Sequence, residues 1–538
     1  VRADVAHGRL PTGVVENSFD VYPTQVDMYS TYPPSVEGST VSSVLPASEA
    51  TTPDAERKAK WVIGVLLFSS LSAALMQSLV IPIQSELPEL LNTSASNASW
   101  VITATLLGAG VTMPLVGRLA DLVGKKPVLV ASAALLVVGS LICALSDSLG
   151  IVLVGRVLQG AAMGYIPVAI SLVREVIPPR MVNSAIAAVS ATLGVGGALG
   201  LPLAAWIAQG HDWHMLFWVA TGLAVVMTLL SLLVLPHVHD AHPATIDWLG
   251  AAGLALGLVG VLVGVSKGGD WGWSSGSTIG LIVGGVVVLL AWGWYELRSK
   301  DPLVDLRTMS ARPILLTNIA AVLIGFGMMA QSIVVPQLLQ MPEATGYGLG
   351  QSILQAGLWM APGGLMMLFF APVSARLLTN LGARITLSIG AAVLAAGYVA
   401  AVFLTGAPWQ LVVASCISMA GVGVGYAAMP TMILSHVPMA EAASSVSVNT
   451  LMRSIGTTVA GAVMTVVLTS RTMVLAPGTP EIPTHGAFQL CFVIGAVAAA
   501  LGAVVVLLIP KAAARGAAPV HTTAGDERDD DLVEAGAH

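Results

Sequence analysis

From Trp61 onward, long apolar runs alternate with short polar breaks. Each run is about 20 residues, the length an α-helix needs to cross a bilayer. The pattern predicts about fourteen spans. The first six are Trp61–Ile83, Trp100–Arg118, Val128–Ser146, Ile151–Val173, Asn183–Ala208 and Met215–Leu235. A pair follows at Trp248–Val265 and Ser277–Trp294. The last six are Ile314–Leu338, Ser352–Ala375, Ile385–Thr405, Trp409–Leu434, Ser444–Ser470 and Ala487–Ile509. A helix satisfies its own backbone in lipid, so this implies an all-α membrane protein.

The runs repeat internally. A shift of 258 positions lays Pro114, Arg118, Leu119, Gly124 and Lys126 on Pro372, Arg376, Leu377, Gly382 and Arg384 without a gap. Gly160, Gly164 and Tyr165 likewise match Gly421, Gly425 and Tyr426. Two related six-helix bundles are what parallel repeats predict. They are expected at 57–236 and 298–510, with the extra pair, 237–297, linking them. Thr379 stands where the first copy has Asp121, so the second copy is degenerate.

Composition agrees with a chain buried in lipid. Charged residues make up 10%, against about 25% in soluble domains. No basic patch occurs outside the short loops, so nothing points to a nucleic-acid surface. About sixteen of them flank one side of the spans and about two, Lys267 and Arg471, the other. That asymmetry predicts both termini in the cytoplasm. The region to residue 56 is rich in Pro, Ser and Thr, is no signal peptide, and reads as a disordered cytoplasmic tail. The leading Val reads as an alternative start codon, with Met28 a further candidate start. Residues 511–538 form an acidic tail. Cys143, Cys416 and Cys491 lie in apolar runs and read as packing residues. His237, His239, His242 and Asp240 are a loose cluster in a solvated loop, and no metal site is expected.

The densest charge is in Pro114–Pro127, where Gly117, Arg118, Leu119, Asp121, Gly124, Lys125 and Lys126 fall within a connection read as a loop. Asp121 is left to pair with its basic neighbours or with a nearby helix end. This stretch resembles the G-x-L-A-D-x-x-G-[RK]-[RK] signature of the major facilitator superfamily of secondary transporters. The resemblance covers nearly all of Trp61 to Ile509. It implies the major facilitator fold, and for these residues a role in locking the inner gate.

Other motifs resemble the fourteen-helix drug:proton antiporter branch. Arg156, Gln159 and Gly160 resemble its fourth-helix motif, which implies proton coupling; an Arg reaching to water from near the helix end is the alternative. Asn449 and Arg453 resemble its thirteenth-helix pattern. Gly196, Gly200 and Pro202 resemble, imperfectly, the fifth-helix antiporter motif; ordinary small-residue packing is the alternative. The branch carries an acid in its first helix, but this chain offers Ser72 or Met76 there, and no span holds a central Asp or Glu. Gln77, Tyr165, Gln331, Gln355, Trp359 and Tyr426 are polar or aromatic residues inside apolar spans that could line a cavity between the bundles, or simply join helices.

The resemblance implies a non-enzymatic, cofactor-free monomer of the plasma or inner membrane. It would export small amphiphilic molecules, such as drugs, against inward proton flow. The missing central acid keeps open a lipid or metabolite exporter without proton coupling. A membrane-embedded sensor on the same scaffold is the alternative of another class.

Overall fold

At two places a single glycine with positive φ, rather than a loop, divides one helix from the next. The computed structural model describes residues 53–80, 83–84, 86–210, 212–238, 245–475 and 481–510. Among them are thirteen continuous apolar segments long enough to cross a membrane. The longest, Ile353–Phe403, contains Gly382 at φ 78°, ψ 167°, outside helical geometry. It is therefore two helices joined by one residue, which makes fourteen.

The first six helices are α1 (Pro53–Ser78), α2 (Trp100–Val123), α3 (Lys125–Ala144), α4 (Leu149–Val176), α5 (Pro179–Gly210) and α6 (His214–Val234). The middle pair is α7 (Trp248–Trp271) and α8 (Gly276–Glu296). Then come α9 (Arg312–Gln340), α10 (353–381), α11 (383–403), α12 (Pro408–Leu434), α13 (Ala442–Ser470) and α14 (His485–Leu507). Short helices at Leu87–Leu90, Ala95–Ala98 and Leu306–Ser310 occupy connections. A two-residue hairpin, Thr472–Met473 with Ile482–Pro483, joins α13 to α14.

Three boundaries differ from expectation. The charged stretch after Gly117 is not a loop: α2 continues to Val123, and Gly124 at φ 96° is the whole connection to α3. Gly117 is instead a helical contact residue. Helix α7 runs six residues past Val265, through Gly268 and Gly269, and stops only at Gly272, φ 88°. Gly268 keeps its place because Trp273 covers it; a methyl group there would lie 2.7 Å from that ring. Lys267 is therefore inside a helix and 1% exposed, not in an outer loop. At the start, α1 ends at Ser78 rather than Ile83, and it begins at Pro53, within the stretch read as a tail. The remainder of both expected tails, and most of the His237 cluster, lie outside the described residues.

Contacts sort the helices into two groups. In the first, α1 packs on α5 and α6, α2 on α4, and α3 on α4 and α6. In the second, α9 packs on α13 and α14, and α12 on the α10–α11 segment. Small residues set the closest approaches: Gly139 against Gly155, and Gly390 against Gly421 and Gly425. The groups meet along two seams. One is α2 with α13; the other is α5 with α10, where Gly194 abuts Met367 and Gly364 abuts Ala198. Helix α7 packs against both α2 and α13, beside the first seam, and carries α8 on its other side. The outward face of α8 is exposed apolar surface, including Val283, Val287, Leu290 and Trp294, as a lipid-facing helix requires.

Candidate functional site

The α2–α13 seam closes at the end of the molecule that carries Arg118, Lys125, Lys126, Arg376 and Arg384, here called the basic face. The Asp121 carboxylate is buried and points across the seam. Its Oδ1 accepts from the Ala443 N–H at 3.0 Å, and its Oδ2 from the Ser444 N–H at 2.8 Å. Those amides are among the unpaired donors that open α13, and the helix dipole favours a negative charge there. Lys125 holds the same carboxylate from its own side at 3.7 Å and also pairs with Glu175 of α4. One carboxylate thus caps a helix of the other bundle while anchored in its own.

Gly117 makes this approach possible. A methyl group there would lie 2.7 Å from Ser447 Cβ and 2.8 Å from the Ala443 carbonyl. Arg118 is half-buried, with its Nε unpartnered; Lys126 is half-buried and Gly124 forms the joint. Two further bonds cross between the bundles here. Arg174 donates to the Val437 carbonyl at 3.3 Å, and Asn183 donates to Thr379 Oγ1 at 3.2 Å. The second lies at the residue that the repeat pairs with Asp121.

Arg156 is 2% exposed, so it does not reach to water. Its Nε donates to the Val101 carbonyl at 3.0 Å and one terminal nitrogen to Gln159 Oε1 at 2.7 Å. Gln159 passes the bond on to Ser140 Oγ at 2.8 Å. Gly160 lets α4 close on α2; a methyl group there would sit 2.9 Å from the Ala109 nitrogen. This network ties α2, α3 and α4 together inside the first bundle.

Arg453 lies on the other side of the seam. Its guanidinium stacks over the Tyr426 ring at 4.3 Å, and Asn449 donates to Asn318 Oδ1 at 2.9 Å. Tyr426, Asn449 and Arg453 line a crevice between the bundles with Ile166, Ile170 and Ser190. Its volume is about 10 Å³, room for about one water. That crevice is too small for any drug-sized molecule. A larger hollow of about 580 Å³ lies open at the far ends of α3 and α6, beside Asp147, Asp212 and His214. There hydrogen bonds from the His214 backbone and ring hold the Asp212 carboxyl below its usual range. That hollow touches neither seam.

Of the six expected cavity residues, Tyr426 alone borders the crevice. Tyr165 is fully buried inside the first bundle, where its hydroxyl meets Ser231 Oγ at 2.9 Å. Gln331 is buried inside the second bundle without side-chain partners. Gln355 completes a capping box with Ser352 at the start of α10, so its amide serves the helix end. Trp359 donates to Gln351 Oε1 at 2.9 Å, and Gln77 is exposed on α1. Polarity within an apolar span marked a need for a partner, and for several of these residues that partner is local.

The fifth-helix motif joins α5 to α1. A methyl group at Gly196 would lie 2.5 Å from Ala74 Cβ, and Ser78 Oγ donates to the Gly196 carbonyl at 3.2 Å. Gly200 faces the same Ser78, and Pro202 is accommodated without a break in α5.

One residue placed elsewhere by the sequence proves central to α7. Lys267 donates to the Ser96 carbonyl at 2.9 Å, to Ser99 Oγ and to Asp270 Oδ2 at 3.1 Å, and lies 4.9 Å from the Trp100 ring centre. With Thr103 and Ser266, 3.2 Å apart, it pins α7 to the start of α2. The neighbouring Trp271, which ends the helix, was the available signal.

Known proteins agree with this architecture. The family model of the Major Facilitator Superfamily matches residues 66–461. An uncharacterised transporter of that type from Mycobacterium tuberculosis is 28% identical over 303 residues, 56% of this chain and 43% of the relative. The chain thus spans less than half the length of that relative. A protein from the same organism named multidrug resistance protein B homolog is 24% identical over 420 residues, 76% of this chain and 75% of its own. Among solved structures, the human organic anion transporter MFSD10 superposes with a TM-score of 0.59 at 15% identity, covering 83% of this chain and 99% of that one. At that identity the likeness concerns the fold alone. With the family model matching most of its length, this multi-pass chain belongs to the Major Facilitator Superfamily.

Proposed function

We propose that the chain exports small amphiphilic molecules across the plasma or inner membrane by alternating access, in exchange for protons. The observation that carries this reading is the Asp121 cap. Its bonds to Ala443 and Ser444 close the two bundles at the basic face, yet all three groups could be satisfied by water on opening. The contact is thus strong enough to hold a state and cheap enough to release. The basic face is taken as cytoplasmic, with both termini on that side, and the unit as a monomer. No resident cofactor is needed; the proton gradient supplies the energy. Export of drugs is supported by the relative's name and by the motifs at Arg156, Arg453 and Gly196. The test is dye, drug and lipid uptake into everted vesicles with and without a proton gradient. Gradient-driven accumulation of amphiphilic cations or neutral drugs is expected; none with any compound of the panel overturns the reading.

A specific observation favours a second reading, export of a lipid or metabolite without proton coupling. Among the described residues, the acids in the spans lie near the helix ends, as Asp121, Glu175, Asp270 and Glu296 do. Substrate-driven pH change in proteoliposomes separates the two: a change supports exchange, and transport without one supports the second reading.

A further inference from the structure

The basic face holds an ionisable pair that the Asp121 cap does not use. Asp247 caps α7. Its Oδ1 accepts from the Gly250 N–H at 2.8 Å and from the Tyr295 hydroxyl at 3.2 Å. Glu296 ends α8, and its Oε1 accepts from the Val304 N–H at 2.7 Å. The second oxygen of each group, Asp247 Oδ2 and Glu296 Oε2, is buried without a hydrogen bond. Glu296 as a whole is 2% exposed.

These two oxygens converge. A methyl group built on Gly250 would lie 2.7 Å from Asp247 Oδ2 and 2.8 Å from Glu296 Oε2. Glycine at 250 thus leaves open the small space into which both point. Among the described residues, no Lys or Arg nitrogen pairs with either carboxylate. The nearby cations are engaged elsewhere: Arg298 stacks on Trp294 at 3.9 Å, and Arg307 donates to the Leu297 carbonyl at 2.9 Å.

Two facing carboxylates in a buried site cannot both stay charged without a counter-ion. A proton bound in that space would remove one of the two charges and let the protonated carboxyl donate toward the other carboxylate, a charge-assisted bond of the strong kind.

We propose that Asp247 and Glu296 form a proton-binding pair on the basic face. The proton comes from, and returns to, water on that face. With it bound, the pair carries one negative charge. Without it the pair carries two. The site lies on the two helices that this chain adds between its bundles. It rests on the proton-exchange reading only for its use in transport, because proton binding follows from the geometry alone.

The test is infrared difference spectroscopy of the full-length protein in lipid nanodiscs. At neutral pH the wild type should show a protonated-carboxyl stretch that is lost on alkalinisation. Glu296→Gln and Asp247→Asn should each lose that band. Both variants keep shape, and the Gln amide can donate to Asp247 as the proton does, so folding should survive. Gly250→Ala, which fills the shared space, should shift or abolish the band. A wild-type spectrum identical to that of the Glu296→Gln, Asp247→Asn double variant at all pH values overturns the proposal. If the band is present but transport ignores the proton gradient, the pair stands and the exchange reading falls.

Discussion

Thr379 accepts a 3.2 Å hydrogen bond from Asn183, at the position that the internal repeat aligns with Asp121. The two seams are therefore closed by related but unequal contacts. One is a buried carboxylate on two amides; the other is a neutral bond between exposed or half-buried groups. Charge-assisted bonds are roughly twice as strong as neutral ones. The Asp121 seam should dominate closure, and Thr379→Val should leave transport within about fivefold, since a net neutral bond contributes about 1 kcal/mol or less when exposed.

Asp121→Asn keeps the shape but removes the charge and turns an amide group toward one of the two N–H donors. Loss of an N-cap costs about 1–2 kcal/mol, which is about tenfold in an opening equilibrium. We expect export to fall at least that far with membrane insertion intact. The expected companion signal is faster labelling of a cysteine placed at the α2–α13 seam. Full export by the variant in energised vesicles removes the gate.

Gly117→Ala adds a methyl group into Ser447 and the Ala443 carbonyl. Overpacking of this kind costs about 1–3 kcal/mol, here charged against the closed state alone. The variant should insert normally but transport poorly, and Ser447→Gly should restore part of the activity. A double variant no better than the single one would place the defect elsewhere.

Arg156→Ala should destabilise the first bundle. It strips bonds from the Val101 carbonyl and from Gln159, both buried. Hydrogen bonds to charged groups contribute about 1.5–3 kcal/mol each. A fall in melting temperature of several degrees is expected in detergent, with Arg156→Lys intermediate because it keeps charge but not the guanidinium fork. Unchanged melting with lost proton dependence would instead point to a coupling role.

Tyr426→Phe keeps an aromatic face beneath Arg453, whereas Tyr426→Leu does not. A desolvated cation–π contact is worth about 2 kcal/mol. The Phe variant should retain most of the wild-type transport and the Leu variant should lose it or shift KM. Equal behaviour of the two would show that the stacking is incidental.

Much of the fold was legible because apolar runs of span length leave few alternatives in lipid. The repeat was legible because Gly124 and Gly382 stand in the same place and both adopt positive φ. What the sequence hid was geometry around glycine and the pairing of distant charges. Gly117 and Gly268 look like breakers, yet both are helical because a neighbour fills the space where a side chain would go. Lys267 was read as an outer-loop charge for the same reason. The partner of Asp121 is backbone 322 residues away, and backbone has no sequence signature. Asp247 and Glu296 looked unrelated because each sits at a helix end, where acids are common for capping.

The joints at Gly124 and Gly382 each connect two membrane-crossing rods through one amino acid. Such a coupling has no slack, so neither rod can slide or swivel without turning its neighbour. Adding or deleting one residue there would swing everything after it by about 100°, one residue's share of a 3.6-residue turn. Length variation should therefore be tolerated in the longer links of this chain but be lethal to these two hairpins.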